Sequence, residues 1–537
     1  MNPVLFGITT LCYAACIGLL AYCGYKRTRS SNDYLLAGAS AHPFVMALSY
    51  GAAFISTSAI VGFGGIAGQF GMGLQWLTFM NIFVGIFVAF VFFGRKTRKI
   101  GKFLDAKTFP EFLARRYDSP GIQWFLAGVI FVFMPLYSSV VLIGGSRFLQ
   151  QVLGVDYYAA LVIFGAVVAL YVTFGGLKGV MYVDALMGSV MVIGLTALLV
   201  MSYWKLGGIA EAHRELTAMA PLVAERLPAE AALGHRGWTC MPEFNSVWWW
   251  NLVSSLMLGV GIGALAQPQL AVRFMTVRSG KELNRATLIG SLFIFFTVGS
   301  AYLVGALSNV FFYHSDKGML GDSAGLLAIE AAGGNPDMVI PLFISKALPP
   351  VVLYIFALTL LSAAMSTLSS LFHVTGTAIG HDMIGAIVKK GDSVAITRCG
   401  VIFGIAMSVV LGFVLPEGII ARGTAIFFGI CAASFLPSYV AALYWPRATA
   451  AGAWASMITG AVVSLFGLLF LHRKESAALG ICEAISGKTE LIETFPWPFV
   501  DMLVYALPAS VLALIVVSLL TKAPAKRVVV GCFHYYK

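Results

Sequence analysis

Apolar runs of roughly 20 residues recur along the whole chain, divided by short polar segments, and each is long enough to cross the roughly 30 Å hydrocarbon layer as a helix. The pattern predicts thirteen spans, at 3–23, 44–70, 75–94, 121–147, 157–173, 184–203, 247–272, 285–310, 343–372, 397–415, 422–445, 451–471 and 498–520. An odd count puts the termini on opposite sides. Spans two to six and seven to eleven form two sets of five, and a five-span unit inverts when the next begins. Each set opens with a glycine-interrupted helix, GAAFISTSAIVGFGG at 51–65 and LGVGIGALAQP at 258–268. Paired interrupted helices at corresponding positions are what an inverted-repeat architecture with a site near the membrane midplane needs. The symmetry lies in hydropathy, not in a residue-level repeat.

Composition strengthens the membrane reading. The 537 residues are 59% hydrophobic and only 11% charged, too few charges to wet the surface of a soluble domain. The net charge of +11 is spread between apolar runs and does not gather on an aromatic-studded soluble domain, so it suits a membrane with anionic cytoplasmic lipid and not nucleic acid. Most of the 35 Lys and Arg fall on one set of connecting segments, including Lys26, Arg27, Arg95, Lys96, Arg98, Lys99, Lys102, Arg115, Arg116, Arg278, Lys281 and Arg527. That bias places the N-terminus outside and the C-terminus in the cytoplasm of a multi-pass inner (plasma) membrane protein. The basic segment 105–120 mixes Phe109, Phe112 and Leu113 with Arg115 and Arg116, and reads as a short interfacial helix or a solvated connector. Loop 204–246 contains helix-forming stretches, and Trp248, Trp249 and Trp250 follow it as an aromatic-belt anchor. Eight scattered Cys show no metal-ligand or disulfide spacing.

The candidate chemistry lies in two stretches. From Leu361 to Met383, small and hydroxylated residues replace bulky aliphatics, with Ser366, Thr367, Ser369 and Ser370 at membrane depth. From 49 to 65, Gly51, Gly62, Gly64 and Gly65 lower the cost of non-helical dihedrals, and Ser56, Thr57 and Ser58 stand ready to bond freed backbone groups. A hard cation needs several oxygens, which in hydrocarbon come from hydroxyls, carboxylates or carbonyls freed by unwinding. Ser366 and Thr367 follow Ala363 by three and four residues, which brings all three to one helix face. The competing reading is hydroxyls bonded to their own helix and small residues permitting close packing.

Six segments, YLLAGAS (34–40), the glycine-rich 49–65, TFPEFLARRY (108–117), FGGLKGVMYVDALMG (174–188), QPQLAVRFMTVRS (267–279) and AAMSTLSS (363–370), together resemble the sodium/solute symporters, which include bacterial proline, sialic acid, galactose and monocarboxylate carriers. The resemblance covers roughly residues 20–450. It implies an all-α polytopic fold with a ten-helix inverted-repeat core like that of leucine transporters, one helix before it and two after. The domains expected are 1–43 (extra helix and linker), 44–203 (first repeat), 204–246 (external loop), 247–445 (second, inverted repeat) and 446–537 (two further helices and a tail). It further implies a Na+ site made of the backbone carbonyls of Ala52, Ile55 and Ala363 with the hydroxyls of Ser366 and Thr367. Asp184 resembles the carboxylate of the sodium exit path; the alternative is a salt bridge to Lys178 or another nearby base. Proline carriers have Asp where this chain has Phe54, and many members have Gln where it has Met187.

Substrate in this architecture binds beside the two broken helices. The candidates are Phe54, Ser56, Thr57, Ser58, Gln69 and Gln75 from the first half and Asn251, Ser254, Ser255 and Met257 from the second. Phe54 has core packing as its alternative, and the two glutamines a solvated turn. Arg147 and Arg273 are expected near opposite membrane surfaces. So few fixed charges within the spans favour a small solute with one carboxylate. His373, seven residues beyond Ser366, and His381 are candidates for proton relay or for simple buried histidines. The resulting expectation is a sodium-coupled symporter importing a small organic solute, a monocarboxylate or amino acid, by alternating access. No covalent chemistry, organic cofactor or obligatory protein partner is inferred. The alternatives are proton coupling on the same fold, or a membrane sensor built on it.

Overall fold

The computed structural model describes residues 3–28, 31–39, 41–314, 325–388, 394–416 and 418–534. Among the described residues its main apolar helices are α1 (Phe6–Arg27), α2 (Pro43–Phe54), α3 (Ser58–Leu104), α4 (Pro120–Gln150), α5 (Tyr157–Leu170), α6 (Gly176–Lys205), α7 (Val247–Ala266), α8 (Gly280–His314), α9 (Val351–Ile384), α10 (Val394–Val414), α11 (Ile420–Tyr444), α12 (Ala450–Leu471) and α13 (Leu503–Leu520). Eleven are long and apolar enough to cross a membrane, and α2 and α5 are shorter apolar helices. Many large aliphatic and aromatic side chains are exposed, among them Leu11, Phe83, Leu170, Val414 and Leu520. A belt of that kind fits lipid. α9 and α11 are the most enclosed long helices and α1 the least, so the core lies around the former pair.

The glycines do a different job from the one their sequence position implies. The predicted span 44–70 breaks at 55–56, where Ile55 is extended (φ −93°, ψ 105°), and no glycine takes part. Gly62, Gly64 and Gly65 remain inside helix and permit close approach instead. A Cβ on Gly65 would lie 1.8 Å from Pro336 O, and one on Gly305 would lie 1.9 Å from Gly64 O. The same holds for 258–268: the break falls at Gln267 (φ −73°, ψ 118°), while a Cβ on Gly263 would meet Phe428 at 2.6 Å. Two glycines within these helices do turn the chain, Gly71 (φ 64°) inside α3 and Gly176 (φ 58°) at the start of α6. Both conformations cost an L side chain energy.

Three other expectations are corrected. The span drawn at 343–372 is divided at 348–349, leaving a separate helix, Pro336–Ala347, and α9 then runs on to Ile384. Paired prolines at 349 and 350 exclude a continuous helix there, and the polar residues beyond 372 stay helical because neighbouring helices bury them. The segment Phe109–Tyr117 is helical but does not lie on the interface. It is buried under the bundle, with Phe109 edge-on to Tyr439 (5.1 Å) and Arg116 bonding the carbonyls of Ala442 and Trp445. Trp248 is no free belt anchor: it packs on Phe70 (4.3 Å) and His235 (4.4 Å), tying loop 204–246 to the core.

Gly65→Leu is predicted to destabilise the detergent-solubilised protein by about 1–3 kcal/mol through overpacking, whereas Gly128→Ala, which meets nothing within 4 Å, is neutral or mildly stabilising; thermal melts compare the two. His235, stacked on Trp248 and buried, has its imidazole pushed down to about 4 by desolvation. The unfolded chain protonates first, so the stability His235 contributes is present above about pH 6.5 and is lost as pH falls through about 4. Tryptophan fluorescence against pH should show that loss, and His235→Phe should flatten it.

Candidate cation site at the helix break

The break at 55–56 strips nearby carbonyls of their helical donors, and in hydrocarbon each unpaired group costs several kcal/mol. α9 supplies the replacements. Ser366 Oγ donates to Ala52 O at 2.8 Å and to Ala363 O at 3.2 Å, and Thr367 Oγ1 to Ala52 O (3.3 Å) and Ala53 O (3.4 Å). All of these residues are fully buried or nearly so. Ile55 provides the extended dihedrals, and its N–H closes the last turn on Gly51 O at 2.8 Å. The hydroxyl and carbonyl oxygens gathered here are hard donors of the kind an alkali cation takes. With a cation among them, the hydroxyl protons turn away and the lone pairs coordinate.

Directly beneath lies an ion pair that sequence reasoning divided wrongly. Asp184 is not at a helix end but well inside α6, with no exposed surface. Arg273, expected near a membrane surface, is equally buried and donates Nη2 to Asp184 Oδ2 at 3.0 Å. Its other hydrogens go to Ser49 Oγ (3.1 Å), Gln269 O (2.6 Å) and Ser370 Oγ (2.6 Å). Ser49 also donates to Asp184 Oδ2 (2.8 Å), and Ser369 to Asp184 Oδ1 (3.3 Å) and Ser366 O (2.8 Å). Lys178 faces Asp33 at 3.8 Å, and Arg273 is the other nearby base that the salt-bridge alternative for Asp184 allowed. The network thus ties α2, α6, α9 and the chain after α7 into one polar knot against the cation site. An arginine amid the apolar run QPQLAVRFM was the signal for it.

The proposed substrate residues separate into three groups. Phe54 and Ser56 lie in an aromatic cluster, where Phe54 stacks on Phe428 (6.4 Å), Tyr137 stacks on Phe427 (5.0 Å), and Tyr137 OH donates to Ser56 Oγ (3.4 Å). Met187 is buried in the core. Thr57 and Gln75 are spent on packing, donating to Val141 O (2.7 Å) and Gly299 O (3.2 Å), and Ser58 Oγ is buried without a partner. Ser254 accepts from Asp501 N (3.1 Å) and donates to Trp250 O, while Met257 is half-buried. Gln69, Asn251 and Ser255 line a cleft with Arg422, Lys474, Glu475 and Asp501. Those charges were missed because they come from outside the spans or from a helix end: Arg422 bridges to Glu475 at 2.7 Å across 53 residues of sequence.

Residues 34–460 match the description of the sodium:solute symporter family. The chain belongs to that family. The symporter is 27% identical over 515 residues to the osmoregulated proline transporter OpuE of Bacillus subtilis, covering 95% of this chain and 93% of that one. It is 26% identical over 452 residues to a sodium/pantothenate symporter of Haemophilus influenzae, covering 82% and 86%. Its fold matches a solved Na+-coupled sialic acid symporter in a substrate-bound outward-open state, with TM-score 0.73 and 17% identity, over 97% of this chain and 99% of that one. The protein is therefore a sodium-coupled secondary active symporter of a small organic solute, a transporter and not an enzyme, with Na+ as its coupling ion.

Removing one partner of the buried pair leaves an unpaired charge, so Arg273→Ala or Asp184→Ala is predicted to cost about 3–5 kcal/mol. Asp184→Asn combined with Arg273→Gln should cost clearly less than the sum of the two Ala variants. Thermal unfolding of the purified symporter, without solute, checks both.

Proposed function

We propose that the symporter holds Na+ between the carbonyls of Ala52, Ile55 and Ala363 and the hydroxyls of Ser366 and Thr367, and that this binding shapes an adjacent site for a small carboxylate or amino acid. The supporting observation is the convergence of the Ser366 and Thr367 hydroxyls on the carbonyls at the break. Sodium replaces those hydrogen bonds and draws the broken helix against α9. The solute side of the pair is the cluster of Phe54, Ser56, Tyr137 and Phe428, reached through the cleft lined by Gln69, Asn251 and Ser255. If sodium tightens solute binding by a given factor, solute tightens sodium equally.

The relatives are named for proline and pantothenate and the solved structure for sialic acid, all carboxylates, which favours one acidic group on the solute. Phe54 gives the site an apolar wall where proline carriers have Asp, so the solute body is less polar or differently placed. The basic face, with Arg95, Lys99, Lys102 and Arg115, is cytoplasmic and meets anionic lipid, while loop 204–246 is external; the N-terminus is then outside and the C-terminus inside. In this reading α2 to α11, with the division inside α3, make two inverted five-helix repeats at 44–203 and 247–445. α1 with its linker (1–43) precedes them, and α12, α13 and the tail (446–537) follow. Asp184 belongs to the exit path, joined to the sodium site through Ser369, which bonds both Asp184 and Ser366.

Ser366→Ala with Thr367→Ala is predicted to raise the external sodium concentration for half-maximal uptake at least tenfold, about 1.4 kcal/mol. Proteoliposomes with sodium and proton gradients imposed separately provide the measurement, and an unchanged sodium dependence means that other oxygens hold the ion.

A further inference from the structure

The ninth helix carries polar residues well beyond the sodium site. Ser366, Ser370, His373, Thr377 and His381 recur at intervals of three or four, one face of a helix, and all are buried. The stripe ends beside Asp382, about 24 Å along the axis from Ser366. Asp382 has no exposed surface. Its Oδ1 accepts from Thr108 Oγ1 and from Gln123 Nε2, both at 2.7 Å, whereas its Oδ2 is buried without a hydrogen-bond partner. A carboxylate oxygen in that condition is costly to keep, and it calls for a cation, a proton or water.

The surroundings favour a cation. Asp382 lines a small cavity with His373, Thr377, Lys107, Pro268 and Val272, on the basic face and beneath the second broken helix. Its free space admits about one water-sized particle, the size of a dehydrated alkali ion. His373 Nδ1 is likewise buried without a partner, so two residues that carry an orphaned polar atom line one cavity. The neighbouring acid is already engaged: Glu111 faces His381 Nε2 at 3.4 Å and accepts from Arg115 at 2.5 Å. Asp382 Oδ2 is thus the acidic oxygen of the cluster left open to a ligand.

We propose that this cavity is a second, low-affinity sodium station through which the coupling ion passes after leaving the Ser366 and Thr367 site, with Asp382 as its charged ligand and Thr377 as a neutral one. The proposal rests on the sodium site and the cytoplasmic assignment of the basic face given above. Cytoplasmic sodium reaches the station first, so occupancy from inside opposes release and inhibits uptake.

The test uses the full chain in proteoliposomes with internal sodium varied at constant ionic strength and external sodium fixed. Asp382→Asn should raise the internal sodium concentration that half-inhibits uptake by at least about fivefold, with the external half-saturating concentration unchanged. Thr377→Val should shift it in the same direction, and carries the test if the Asp382 variant does not fold. Gln123→Leu removes a tie to Oδ1 but leaves Oδ2 open, and should keep the normal internal response. The proposal is overturned if internal inhibition is unchanged in both Asp382→Asn and Thr377→Val, if Gln123→Leu and Asp382→Asn shift alike as for a mere anchor, or if internal and external dependences move together. Failure of the first sodium site reads differently, as unchanged external dependence when Ser366 and Thr367 are both replaced.

Discussion

A helix interrupted in hydrocarbon must find new partners for its freed carbonyls, and this constraint organises the bundle. The interruption at 55–56 exposes oxygens that no water can reach, and the hydroxyls of Ser366 and Thr367, more than three hundred residues later, satisfy them. That contact requires α9 to lie against the break, and α9 is accordingly among the most enclosed helices. The glycines at 65 and 305 act elsewhere, bringing α3 against Pro336 and against α8, where the backbones are too close to leave room for a Cβ. The carbonyls at the break are thus satisfied from within the protein, by hydroxyls of a helix distant in sequence.

Charge is handled in a matching way. Asp184 and Arg273 cancel one another in the core, and their remaining hydrogens and lone pairs are taken up by serines and a backbone carbonyl. Such a pair adds little net stability, but it fixes four segments relative to one another. Further charge lies in the cleft with Arg422, Lys474, Glu475 and Asp501, where Arg422 bridges to Glu475, and at Asp382, whose Oδ2 is buried without a hydrogen-bond partner.

The spans, their rough limits and the oxygens of α9 were legible because apolar runs and helical spacing are local properties of the chain. The position of the break was not, since glycine signals both flexibility and close packing, and only the neighbour Pro336 tells which applies at Gly65. Arg273 was misplaced for a related reason: a lone arginine near the end of an apolar run reads as interfacial until its partner across 89 residues is known. The amphipathic look of 109–117 came from a helix that is buried on nearly every side, with its arginines turned to carbonyls and Glu111. The cleft charges escaped because Lys474, Glu475 and Asp501 belong to the connection between α12 and α13, which meets Arg422 at the start of α11. Local pattern identifies elements, and tertiary neighbours decide what each polar residue does.

The central claim is that sodium occupies the junction between the broken helix and α9, and amide hydrogen exchange addresses it most directly. In detergent without solute, adding sodium at constant ionic strength, with potassium or choline as the control, should slow exchange in peptides covering 50–60 and 360–372 together while leaving the α12 and α13 peptides unchanged. Exchange in those two stretches that is indifferent to sodium, or that responds equally to potassium, would contradict the account.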